Sequence, residues 1–227
     1  NTKNQDAVIH LAALIGIPYS YVSPKNYIET NCIGTLNIMQ AAKINKVKKI
    51  IHTSTSEVYG TAKYVPMDEN HPLNAQSPYS ASKISADHIV QSFFNSFNLP
   101  VVTLRPFNAF GPRQSLRAVI PTILFQASIK NEIKLGNTSS TRDFTFVDDT
   151  VSGFISVINK KNTIGHVINL GTGYEFSIKD IIKFSSELLN KKIIVKKNNE
   201  RFRPKKNEVS RLISNNKKNM KIINNRT

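Results

Sequence analysis

Cysteine is almost missing from this chain. Of its 227 residues only Cys32 is one, which excludes an internal disulfide framework and any metal site built on several thiolates. The histidines, His10, His52, His71, His88 and His166, are scattered without ligand spacing, so no metal is expected. No apolar run reaches the roughly 18 residues needed to cross a bilayer, and the opening NTKNQDAVIHLAA lacks the basic, apolar, small order of a signal peptide. The expectation is a soluble protein of the reducing cytoplasm with no membrane partner. Acidic residues are scarce as well: 15 stand against 31 lysines and arginines, a formal net charge of +16. Most of that excess lies from Lys191 to Thr227, where 13 basic residues face only Glu200 and Glu208. This tail has none of the interleaved aromatics on which bases stack, so the charge suits an anionic small molecule better than a nucleic acid.

What is present is an alternation. DAVIHLAAL (Asp6 to Leu14) reads as a strand, followed by a turn at Pro18 and a helix in NYIETNCIGTLNIMQAAK. VKKIIHTST repeats the strand, SPYSASKISADHIVQSFFNSF the helix, and LPVVTLRPFN gives a third strand cut short at Pro106. This order predicts an α/β fold with a doubly wound parallel sheet covered by helices. After Gly111 the pattern loosens. AVIPTILFQASI and SIKDIIKFSSELLN read as amphipathic helices, with RDFTFVDD and HVINLGTG as short strands between them. Residues 1–111 are therefore assigned to the sheet domain, with 144–171 partly returning to it. Residues 112–143 and 172–227 are assigned to a smaller α+β substrate-binding region.

Open α/β sheets bind ligands beyond the carboxyl ends of their strands. That places His10 to Ala13, Thr53 to Glu57 and Arg105 to Asn108 around one crevice. SPYSASK follows, with Ser77 a good N-cap and Pro78 a good first helical residue, so Tyr79 and Lys83 share one helix face four residues apart. Lowering a tyrosine pKa by about 3 units to make a base at neutral pH needs about 4 kcal/mol. An ammonium about 4 Å away supplies roughly that much at an effective dielectric near 20. Tyr59 and Lys63 in YGTAK have the same spacing, but Gly60 and the following YVP make that segment a loop and the match accidental.

HLAA, TSTSE, PYSASK and RPFNAFGPR, in this order at successive strand ends, resemble the extended short-chain dehydrogenase/reductase family of nucleotide-sugar epimerases and dehydratases. The resemblance covers nearly the whole chain. It implies a Rossmann-type sheet, a bound NAD, a tyrosine base assisted by lysine, a nucleotide diphosphate sugar as substrate, and a homodimer. The family begins with a strand and a Gly-rich turn that cradles the cofactor pyrophosphate. No such turn precedes Asp6, and GTG at Gly171 follows the last strand, so the N-terminal βαβ unit is expected to be missing and the chain to be a fragment that binds NAD poorly.

Within that family the triplet Thr55, Ser56, Glu57 resembles the Thr, Ser, Glu of GDP-mannose-type 4,6-dehydratases. The implied reaction oxidises C4, eliminates water across C5 and C6, and returns hydride to C6, with Glu57 taking the C5 proton. Ser56 stands where the dTDP-glucose branch carries Asp, so the acid serving the C6 hydroxyl is left open. The alternatives are a 4-epimerase or decarboxylase of the same family, or an inactive truncated remnant. HLAALIGIPYSYVSPKNYIETN, RPFNAFGPRQSLRAVIP, GNTSSTRDFTFVDD and RFRPKKNEVSRL are similar to one branch, the N-acetylglucosamine nucleotide 4,6-dehydratases of legionaminic acid synthesis. That similarity implies a GDP- or UDP-linked N-acetylglucosamine. By the same resemblance Leu11, Ala12, Ala13, Thr53 and Pro106, with Tyr79 and Lys83, contact the cofactor. Asn108 and Arg142 contact the sugar nucleotide, with Arg113, Arg117 and Arg203 as further phosphate or ribose contacts. Asp143 and Asp148 read as local hydrogen-bonding residues.

Overall fold

The computed structural model describes residues 2–198 and 209–223. The first half runs β1 (Ala7–His10), short helices α1 (Ile17–Val22) and α2 (Pro24–Tyr27), a π-helical segment Ile28–Ile33, α3 (Gly34–Ile44), β2 (Lys49–Thr53), a 3-10 turn Ser56–Tyr59, α4 (Pro78–Phe97) and β3 (Val101–Pro106). The second half runs β4 (Asn108–Phe110), α5 (Val119–Ile129), β5 (Glu132–Leu135), β6 (Thr141–Arg142), β7 (Phe144–Phe146), α6 (Val147–Ile158), β8 (Val167–Leu170), β9 (Phe176–Ser177), α7 (Ile178–Leu188), β10 (Ile194–Lys197), β11 (Arg211–Leu212) and α8 (Lys217–Ile223).

The main sheet has the order β1-β2-β3-β8, and every pair in it is parallel. Side chains alternate across a strand, so neighbours in sequence serve opposite layers. Ile50 and Val101 pack with Met39, Ala42, Val90 and Phe93 under α3 and α4, whereas Ile51 and Val102 pack with Leu104, Ile168, Phe154 and Val157 under α6. Burial on both faces explains the near-continuous apolar runs KIIHT and VVTL. A separate core forms beyond the sheet, where Ile123 and Ala127 of α5 meet Ile133 and Leu135 of β5 and Ile178 at the start of α7. Beside it lie the pairs β5–β10 and β4–β7 and the small sheet β11-β6-β9.

Three features differ from the sequence expectation. The turn at Pro18 is instead the short helix α1, with Pro18 in its first turn, where the missing N–H costs nothing. The strand read across RDFTFVDD ends at Phe146, and Val147 opens α6. Gly153 and the β-branched Thr150 and Val151 give α6 little intrinsic helix propensity, and its packing of Phe154 and Val157 on the sheet supplies the stability. Within the segment assigned to the substrate region, α8 returns to the main sheet: it packs on β8 and α6, and its Ile222 joins their core.

Candidate functional site

The crevice begins where β1, β2 and β3 end side by side, with His10 paired to His52 and Thr53 to Leu104 in the strand register. Helix α4 points its first turns there, and its start is built as the sequence predicts. Ser77 caps it, its hydroxyl accepting from Ser80 N at 3.0 Å while Ser80 Oγ accepts from Ser77 N at 3.0 Å, and Pro78 opens the first turn. Tyr79, Lys83 and Asp87 follow at intervals of four and are all buried, at 6, 4 and 7 % exposure.

Each of the predicted strand-end residues has a distinct setting. Leu11 and Ala12 are exposed and Ala13 is half-buried, so the end of β1 offers small and apolar groups to the crevice. Thr53 Oγ1 is buried without a hydrogen-bond partner among the described residues, while the Thr53 carbonyl accepts from Lys83 Nζ at 2.6 Å. Thr55 caps the 3-10 turn, its hydroxyl accepting from Glu57 N at 3.3 Å, and the same hydroxyl is a hydrogen-bonding neighbour of the Tyr79 phenol. Ser56 is buried at 2 % exposure, whereas Thr55 and Glu57 are half-buried. The Glu57 carboxylate lies close enough to Tyr79 for its charge to push the phenol pKa up. Pro106 ends β3, and Asn108 follows with its Oδ1 buried and unpartnered among the described residues.

Behind the phenol stands an aromatic wall. The Tyr27 ring meets the Tyr79 ring edge-on at 6.2 Å, and the Tyr27 hydroxyl donates to Gly16 O at 2.5 Å, tying the 11–16 loop to α2. Arg117, exposed on its own loop, lies near enough for its charge to act on Tyr27, against the burial that raises that phenol. The π-helical segment turns both Asn31 and Cys32 inward, and Asn31 clamps two pieces of the site together. It accepts from Leu14 N at 2.9 Å and donates to Leu14 O at 3.0 Å and to Ser82 Oγ on α4 at 2.9 Å.

The electrostatics differ from the sequence expectation. The protein's own groups raise the Tyr79 pKa: burial is the largest cause, and the Glu57 carboxylate adds to it against the Thr55 hydroxyl. Lys83 is itself lowered by burial, with Asp87 and Cys32 opposing, and its ammonium is committed to the Thr53 carbonyl. The phenol is thus raised where the sequence predicts it lowered, because desolvation of a side chain 6 % exposed is the largest effect on it.

Other predicted residues lie on neighbouring segments. Arg113 is exposed with φ of +66°, and Arg142 is buried at 7 % exposure in the small sheet, donating to Thr141 O at 2.8 Å. Arg203 lies outside the described residues. Asp143, fully buried, is a local organiser as its sequence context suggests: it accepts from Thr172 N and Oγ1 at 2.9 and 2.7 Å, from Gly173 N at 2.9 Å and from Ser214 N at 3.1 Å. The GTG turn therefore wraps a carboxylate of the protein itself. In the accidental YGTAK pair, Tyr59 is fully buried, donating to Asn169 Oδ1 at 2.7 Å and accepting from Arg105 at 3.0 Å, while Lys63 lies exposed in a loop.

Sequence reasoning passed over Asp87. The signal was available: Asp87 continues the spacing of four that links Tyr79 to Lys83, on a helix whose buried face also holds Ala86, Val90 and Phe93. A carboxylate in such a stripe has to be paired. It is, with His52 at 3.1 Å, Ser54 at 2.8 Å and Arg105 at 3.0 Å. Although burial pushes the other way, these partners hold Asp87 below the usual carboxylate range.

Known nucleotide-sugar dehydratases and epimerases resemble this chain in sequence and in fold. The chain is 37 % identical over 190 residues to the dTDP-D-glucose 4,6-dehydratase of Dictyostelium discoideum, covering 78 % of this chain and 44 % of that one. A solved UDP-glucuronic acid 4-epimerase of Bacillus cereus, in complex with UDP-glucuronic acid and NAD, superposes with a TM-score of 0.90 at 30 % identity, over 97 % of this chain and 69 % of that one. The UDP-N-acetylglucosamine 4-epimerase of Methanobrevibacter ruminantium, in complex with UDP-N-acetylmuramic acid, gives 0.88 at 32 % identity, over 98 % and 71 %. The chain spans about half the length of the curated relatives it matches. The model of the family described as GDP-mannose 4,6 dehydratase matches residues 1–224, and on that match, with the parallel sheet and the strand-end site beneath α4, this chain belongs to that family.

Proposed function

We propose that this chain carries the catalytic residues of an NAD-dependent nucleotide-sugar 4,6-dehydratase whose substrate is a GDP- or UDP-linked N-acetylglucosamine. The observation that carries the reading is the placement of Glu57. Its carboxylate is half-buried and within electrostatic reach of the Tyr79 phenol, beside a Thr55 hydroxyl that bonds the same phenol. A 4-epimerase needs only a hydroxyl to hold the C4 oxygen and a tyrosine to move its proton. A carboxylate at the neighbouring carbon is what an elimination requires.

The residues present fit the nicotinamide end of the cofactor. Thr53 Oγ1, buried and without a partner among the described residues, and the exposed Leu11 and Ala12 border the crevice, and Tyr79, Lys83 and Pro106 close it. These are the residues that would hold NAD, which when bound accepts a hydride from C4 and returns it to C6. Tyr79 takes the C4 hydroxyl proton, with Thr55 positioning that oxygen. Because burial raises the Tyr79 phenol, a cationic nicotinamide ring held beside it would supply the lowering that the protein's own groups do not. Once C4 is a ketone, C5 is acidic, and Glu57 removes its proton and hands it to the C6 hydroxyl, which departs as water; C5 regains a proton from solvent as hydride returns to C6. Asn108, whose Oδ1 has no partner among the described residues, and Arg117, near Tyr27, bind the sugar nucleotide. Arg113, Arg142 and Arg203 are proposed as further phosphate contacts.

The likeness to UDP-sugar 4-epimerases favours a second reading, interconversion at C4 without loss of water. Incubation with NAD and either GDP- or UDP-N-acetylglucosamine, followed by mass analysis, separates the two: a dehydratase product is lighter by one water and an epimerase product is unchanged. Glu57→Gln is expected to abolish solvent exchange of the C5 hydrogen. A variant that still eliminates water at the wild-type rate would show that Glu57 is not the base.

A further inference from the structure

Asp87 does more than balance a neighbouring arginine. Its Oδ1 accepts from His52 Nε2 at 3.1 Å, and its Oδ2 accepts from Ser54 Oγ at 2.8 Å, Arg105 Nη2 at 3.0 Å and Arg105 Nε at 3.3 Å. His52 and Ser54 flank Thr53, whose carbonyl seats the Lys83 ammonium at 2.6 Å. One carboxylate thus grips the residues on both sides of the peptide that receives Lys83, from the same helix and one turn further along. Arg105 completes the brace, its Nη1 donating to the Tyr59 hydroxyl at 3.0 Å, and Tyr59 donates in turn to Asn169 on β8.

We propose that Asp87 is a positioning residue for Lys83: by holding His52 and Ser54 it fixes the Thr53 carbonyl that seats the amine, and its charge keeps that amine an ammonium inside the fold. The catalytic meaning of this rests on the reading of Lys83 as partner to Tyr79, whereas the geometry does not. The titratable groups that interact with Lys83 are His10 on β1, His52 on β2, Cys32 on the π-helical segment and Asp87 on α4. The two histidines are disposed to be neutral, burial being the largest cause in each. Burial works against the Lys83 ammonium, and Asp87 is the leading group that opposes it.

The test is an NMR titration of the Lys83 side chain in the whole chain, its resonance assigned by its loss in Lys83→Met. Asp87→Asn is expected to lower the Lys83 pKa by about one unit or more, with native circular dichroism, and Asp87→Glu to restore most of it. Ser54→Ala, which removes one donor and leaves the charge, shifts it in the same direction by less. An unchanged Lys83 titration in Asp87→Asn overturns the proposal. Should Asp87→Asn not fold, an unchanged titration in Ser54→Ala overturns it. A wild-type protein inert toward sugar nucleotides, with both titrations as expected, would instead sink the proposed reaction and leave the role of Asp87 standing.

Discussion

Acid should loosen this fold through His10, by an amount the structure sets. The imidazole is 7 % exposed, 5.9 Å from the His52 ring, and bonded through Nε2 to Thr35 Oγ1 at 3.1 Å. Thr35 donates its own proton to Asn31 O at 2.6 Å, so its oxygen accepts, and neutral His10 carries its proton on Nε2. Burial, with the nearby His52 and Lys83 charges, lowers the His10 pKa from 6.5 to about 4. Between those values the unfolded chain binds a proton that the folded chain refuses. Stability therefore rises with pH across the window and is lost as pH falls. At about 1.4 kcal/mol per pH unit, the full gap amounts to roughly 3 kcal/mol, a large share of an ordinary domain's stability. His52, also lowered and wholly buried, adds to the loss with the same sign, whereas Asp87, held low by its partners, gives up its contribution only at more acid pH. Urea midpoints at several pH values from 7 to 4.5 measure the slope, and His10→Gln, which keeps a donor for Thr35 but cannot titrate, should flatten it by about 1 kcal/mol per pH unit. A His10→Gln variant with the wild-type slope would refute the argument.

Two further substitutions probe the scaffold that holds the site. Ser77→Ala removes the cap of α4 and should cost about 1 kcal/mol in urea unfolding, with a larger loss of amide protection at Tyr79 and Ser80 than at Val90. Gly171→Ala would place a Cβ 2.5 Å from Ser214 Cβ and 2.7 Å from Asp143 Oδ2. It should destabilise by roughly 1–3 kcal/mol, partly recovered by adding Ser214→Gly. Recovery of nothing by the double variant would mean that the clash is not with Ser214.

Strand-end placement was legible because it follows from local signals. The apolar runs KIIHT and VVTL could only be strands buried on both faces, and Ser77-Pro78 could only open a helix, so Thr53, Glu57, Tyr79 and Lys83 were bound to converge at one edge. The π-helical segment left no such mark: its extra residue per turn is stabilised by what Asn31 and Cys32 touch, Leu14, Ser82 and the Ser82 carbonyl, all distant in sequence. Helix α6 was hidden for a related reason, its propensity being poor and its stability coming from the sheet it covers.

The spacing of polar and apolar residues by itself determined the α/β alternation, the parallel sheet, and the sharing of one helix face by Tyr79 and Lys83. Only the tertiary structure decided the electrical state of that pair. Burial raises the phenol, Lys83 bonds a backbone carbonyl, and Asp87 governs the amine through His52 and Ser54, residues 35 and 33 positions away in sequence. Desolvation and charge depend on distance through space, which chain spacing sets only within one turn of a helix or along one strand.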